Sequence, residues 1–145
     1  MIRITCLAIV LMLSSLATQA QNYIGMSKDI VIHQLKTSFD FGEVEIDVLD
    51  NLKIIKYASN DQKTRKVFFL DDAEKCSKFI VIHNDLNSLK VVKRDLNKNY
   101  ERESKNTWIQ RGIIDYRWQL DKKQKFFALV VTKSFNNEQV TMNVK

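Results

Sequence analysis

The sequence predicts an α+β domain: an antiparallel sheet of about six to eight strands with two helices packed on one of its faces. Three observations carry this. Apolar stripes of helical period follow Ser27 and Asp85. Between and after them lie short runs that either alternate apolar with polar or are apolar throughout. The breaks between those runs are short and rich in Asn, Asp and Lys, and short turns join neighbouring strands antiparallel.

Ser27 reads as a helix N-cap, with Met26 and Val31 at hydrophobic-staple spacing and Asp29 in the first turn, where the helix dipole favours negative charge. Val31, Leu35 and Phe39 recur every four residues with Ile32 beside them, which predicts a helix from about Lys28 to Ser38. From Glu43 to Leu49 the period changes to two. Val44, Ile46 and Val48 alternate with Glu43, Glu45 and Asp47, a strand with one buried and one acidic face. Asp50-Asn51 reads as a turn into Leu52–Ala58, its hairpin partner, and Asn60-Asp61 as the next loop. Arg65–Leu70 and Lys78–His83 are two more strands around Asp71-Asp72. Phe68, Phe69, Phe79, Ile80, Val81 and Ile82 do not alternate, a pattern that suits central strands covered on both faces.

Asp85 is the N-cap expected for the second helix, whose stripe is Leu86, Leu89, Val92 and Leu96, with Lys90, Lys93, Arg94 and Lys98 turned to water. Tyr100–Gln110 follows as a strand with a candidate break at Asn106, then a turn at Arg111-Gly112. Tyr116, Trp118 and Leu120 alternate with Asp115, Arg117 and Gln119, and Phe126–Thr132 is an apolar strand. Val140, Met142 and Val144 alternate as a short candidate edge strand. The predicted order is α-β-β-β-β-α-β-β-β. Helix-then-strands occurs twice, at Ser27–His83 and Asp85–Lys145, as in a tandem duplication, although the halves do not align residue by residue.

The first twenty residues resemble an export signal. Arg3 precedes an apolar run, Ile4 to Leu16, and small residues lead to Thr18-Gln19-Ala20. The run is shorter than the roughly 20 residues of a membrane-spanning helix. The expectation is cleavage after Ala20, a single domain over residues 21–145, and a periplasmic or extracellular location without a lipid anchor. Cys76 is then the only cysteine, with strand-forming neighbours that favour burial. Charge divides unevenly: residues 21–72 carry 7 Lys+Arg against 9 Asp+Glu, and residues 73–145 carry 15 against 8. A basic half can meet an acidic partner, anionic lipid or nucleic acid, and export removes the last.

Catalytic signatures are scarce. Cys76, His33 and His83 are the residue types of a nucleophile and base, but nothing in the sequence brings them together. His and Cys spacings match no zinc pattern, and the acidic stripe Glu43, Glu45, Asp47, Asp50 lacks the Gly and Glu of an EF-hand loop. No cofactor or metal is expected. The stretch Tyr100 to Phe127 mixes aromatic rings with positive charge, the residue types that dominate binding hot spots. Its candidate binding residues are Tyr100, Arg102, Trp108, Arg111, Arg117, Lys122 and Lys123. Strict alternation equally allows Tyr116 and Trp118 to line the core.

The segment Tyr23-Ile24-Gly25-Met26-Ser27-Lys28-Asp29-Ile30-Val31 resembles the Gly-Met-Ser/Thr start of the first helix in small bacterial envelope modules, the SmpA/OmlA-type lipoproteins and the β-lactamase-inhibitor-like proteins. The overall layout also resembles small secreted proteins of Bacteroidetes-type bacteria. The resemblance implies a helix-plus-antiparallel-sheet module that binds other proteins. The chain departs from the lipoprotein pattern in having no Cys at the cleavage point and no Gly-x-Pro after the helix. The function expected from sequence is an exported binding module of the envelope, acting on an envelope or extracellular protein or ligand. The alternatives are a small hydrolase using carboxylates or His83, and a peripheral protein of anionic membrane surfaces.

Overall fold

The computed structural model describes residues 22–40 and 42–134; the expected export signal and the candidate strand at 140–144 lie outside them. Helix α1 (Lys28–Lys36) precedes strands β1 (Glu43–Leu49), β2 (Leu52–Ala58), β3 (Thr64–Leu70) and β4 (Cys76–His83). A 3-10 turn (Leu86–Ser88) leads into helix α2 (Leu89–Asn99), followed by β5 (Glu101–Ser104), β6 (Thr107–Gln110), β7 (Tyr116–Lys122) and β8 (Phe127–Lys133). All eight strands form one antiparallel sheet in the order β1-β2-β3-β4-β8-β7-β6-β5. Each half is one helix and a four-stranded meander, and the meanders join through their last strands. At that seam Phe79 pairs with Val131, Val81 with Leu129 and His83 with Phe127.

The fold class and element order are those expected, with one strand more. Tyr100–Gln110 is two strands, β5 and β6, that pair with each other across the Asn106 break. Asp50 and Asn51 both take positive φ, 50° and 66°, so β1 and β2 are joined by a two-residue turn of the kind that matches strand twist. Asp and Asn tolerate that left-handed backbone better than other residues with a side chain.

Partners directly opposite in an antiparallel ladder share a face. Ile55, Phe68, Phe79, Val131, Trp118 and Trp108 therefore stand in one row on one face. That row is buried, and it is the floor of the core. Val31 and Leu35 of α1 and Leu96 of α2 close over it, with Leu86, Leu89 and Val92 packed at its margin. Tyr23, just before α1, enters the same core and meets Phe68 at 4.9 Å and Phe79 at 5.4 Å in edge-on contacts.

Three details differ from the sequence expectation. The Ser27 hydroxyl makes no capping bond, although its backbone is extended as an N-cap requires. Helix α1 ends at Lys36, so Phe39 is off the helix and 91% exposed. On β1 the apolar side is buried only at its start: Val44 packs against the core, whereas Ile46 is 55% and Val48 62% exposed. Both helices lie on one face, as expected. On the other, Val67, Phe69, Ile80, Ile82 and Val130 are half-buried and Ile54, Ile109 and Ala128 are buried.

Candidate functional site

Two short helices on a broad sheet do not meet over its middle. Between the C-terminal ends of α1 and α2 a cleft of about 700 Å³ opens down to the sheet. Its floor comes from Lys66 on β3, Phe79, Val81 and His83 on β4, Trp118 on β7 and Leu129 on β8. Gln34 and Thr37–Asp40 form one wall, and Val92, Asp95, Leu96, Asn99 and Tyr100 the other. The Tyr100 and Trp118 rings stack at 5.3 Å and give the second wall a flat aromatic base. Val81, Lys66 and His83 are only half-buried although they sit inward on central strands, because the helices leave them uncovered.

The polar groups of the cleft are unevenly satisfied. The chain leaving α1 is held by Ser38, whose hydroxyl bonds Leu35 O at 2.7 Å. This places Asp40 beside the cleft, where its carboxylate accepts hydrogen bonds from the hydroxyls of Ser38 and Tyr57. Burial pushes Asp40 up, but those two bonds and the Lys66 charge outweigh it and hold the carboxyl below its ordinary value. The same bonding, with burial leading, raises the Tyr57 hydroxyl. The Lys66 ammonium lies 5.6 Å from the Tyr23 ring centroid and 5.4 Å from that of Tyr57. Among the described residues no carboxylate stands within ion-pair distance of it. Burial pulls Lys66 below the usual lysine value, with Asp40 opposing.

His83 stacks on Phe127 with ring centroids 4.7 Å apart. Burial lowers its imidazole below 6.5, and the Lys66 charge lowers it further. The unfolded chain therefore binds the His83 proton more readily than the folded one. Stability from this group is full above the unfolded value near 6.5 and falls as pH drops toward the folded value. His83→Gln should flatten the fall in thermal midpoint between about pH 7.5 and 5.5. Equal declines in both proteins would contradict the assignment.

The candidate binding residues of the aromatic-basic stretch do not gather into one surface. Tyr100 lines the cleft. Trp108 is core, 1% exposed, with its indole N–H donating to Asn97 Oδ1 at 2.8 Å. Arg102 is opposite Trp108 on the edge strand and folds back on the carbonyls of Ser104 and Lys105. Arg111 sits past β6 and binds Glu101 and Asp115. Arg117 is on the face away from the helices beside Glu103, while Lys122 and Lys123 are at the exposed β7–β8 turn. The other alternation reading holds here: Trp118 and Leu120 point into the core and Arg117 and Gln119 out.

Cys76 is buried, its thiol pushed up to about 12 chiefly by burial, and His33 is exposed on α1. A thiol held so far above neutral pH supplies almost no thiolate. No described imidazole makes a side-chain hydrogen bond to another catalytic group, and no described cluster of three His, Cys, Asp or Glu is placed to hold a metal ion. Asp47 of the acidic stripe is paired with Lys56 on the face away from the helices.

Sequence reasoning missed Lys66, Val81 and Asp40. A signal for Lys66 was present: it has the same strand parity as Phe68 and Leu70, so a lysine stands on the apolar register of one of the most apolar strands. No family model matches the chain, and no similar curated protein or solved structure was found.

Proposed function

We propose that this chain is an exported binding module of the bacterial envelope and that its ligand is a small molecule held in the cleft between α1, α2 and the sheet. The leader-like pattern of Met1–Ala20 supports export. The observation that carries the ligand reading is the cleft. Its volume of about 700 Å³ falls in the range of small-molecule sites, and it joins an apolar floor to a few polar groups. The dispersal of Arg102, Arg111, Arg117, Lys122 and Lys123 gives a protein-docking patch on that stretch no comparable support.

Val81 stands in the middle of the cleft floor, and Val92 on its α2 wall. A tryptophan at either position fills the space without touching the opposite sheet face. The neutral dye N-phenyl-1-naphthylamine should bind the wild-type chain saturably, one dye per chain, and Val81→Trp and Val92→Trp should each abolish that binding while keeping a cooperative thermal transition. Absence of saturable binding by this dye and by its sulfonated analogue, or full binding in both variants, would overturn the reading.

A further inference from the structure

Among the described residues, Lys66 is a positive charge without a counter-ion in contact. Two aromatic faces flank it, those of Tyr23 and Tyr57. Ring faces attract an ammonium but accept no strong hydrogen bond from it. The nearest candidate counter-ion, Asp40, already accepts bonds from Ser38 and Tyr57. A lysine partly withdrawn from water is costly unless something offsets the lost hydration. The second carboxylate of the cleft, Asp95, is on the α2 wall and within 3.8 Å of Arg94. Lys66 itself lines the cleft. Next to it the half-buried lining is apolar, with Val81 on the floor and Val92 and Tyr100 on the α2 wall.

We infer that the cleft takes an anionic amphiphile, a single carboxylate-, sulfonate- or phosphate-headed molecule whose head sits on Lys66 and whose apolar body lies over Val81, Val92 and Tyr100. This rests on the cleft being the binding site, as proposed above, and adds the charge and polarity of the ligand. A neutral ligand of the same shape forgoes the charge-assisted hydrogen bond to the ammonium, which is about twice as strong as a neutral one. A cationic ligand meets Lys66 as a like charge.

The test uses two dyes that differ by one sulfonate, 8-anilinonaphthalene-1-sulfonate and N-phenyl-1-naphthylamine, titrated into the mature chain from Gln21. The sulfonated dye should bind at least about tenfold more tightly, a difference of roughly 1.4 kcal/mol. Dodecanoate should displace it, and dodecyl phosphate in a parallel titration identifies the preferred head. Lys66→Met should remove the tenfold preference and leave the neutral dye's affinity within about twofold, while Lys66→Arg should retain the preference.

Equal binding of both dyes to the wild-type cleft, abolished by Val81→Trp, would overturn the anionic assignment and leave the binding site standing. Failure of both dyes would remove the site itself. A preference that survives Lys66→Met would also overturn the assignment. So would binding to phosphatidylglycerol vesicles that persists in Val81→Trp, because the charge recognition would then belong to a membrane surface.

Discussion

Phe68→Ala should lower the free energy of unfolding by about 3–5 kcal/mol, the range for deleting a fully buried aromatic ring. Phe68 is 0% exposed, at the centre of the core row, with Ile55 opposite it on β2 and Phe79 opposite it on β4. Its ring lies 4.9 Å from Tyr23 and 5.9 Å from Phe79, so removal opens a cavity bounded by two aromatic rings on backbone that cannot collapse. The β4–β8 ladder makes the two halves one sheet. The variant should therefore shift a single cooperative transition, with far-ultraviolet dichroism and tryptophan fluorescence coinciding in a guanidinium titration. Both tryptophans, Trp108 and Trp118, belong to the second half, whereas Phe68 belongs to the first. Fluorescence that stays at the wild-type midpoint while dichroism shifts would show that the halves unfold separately.

Trp108→Ala should cost a comparable amount, about 3–5 kcal/mol. Trp108 is the largest of the fully buried side chains, stands opposite Trp118 in the β6–β7 ladder, and ties β6 to α2 through its N–H to Asn97. Trp108→Phe keeps most of the buried ring and loses the hydrogen bond, so its cost should be near 1 kcal/mol. The pair decides between two readings of the same residue. A tryptophan on a binding surface would tolerate alanine within about 0.5 kcal/mol. A large loss for alanine and a small one for phenylalanine assigns it to the core.

The sequence reads most clearly where the determinant is local. β1 and β2 have the bounds expected, because strict alternation and the Asp50-Asn51 turn fix where each strand begins and stops. The stripe from Leu86 to Leu96 packs as expected, although its first residues form a 3-10 turn capped by Asp85 before the α-helix begins. What depends on the third dimension was not legible. The cleft exists because α1 stops after Lys36 and neither helix covers Val81, and no window of sequence states how far apart two helix ends will lie. The aromatic-basic stretch shows the converse. Its members are close along the chain, but sheet parity puts Trp118 in the core and Arg117 on the opposite face. Nearness in sequence therefore overstated it as a surface, while Lys66 and His83, from adjacent strands of the first half, converge with Trp118 and Leu129 of the second.

The most direct test of the account is a map of amide and lysine-ammonium chemical shifts on adding 8-anilinonaphthalene-1-sulfonate to the labelled chain. Changes should centre on Lys66, Val81, His83, Val92 and Leu129, with the Lys66 ammonium among the largest. Changes confined to the opposite sheet face around Phe69 and Ile80, or to Arg102–Lys123, would contradict binding in the cleft.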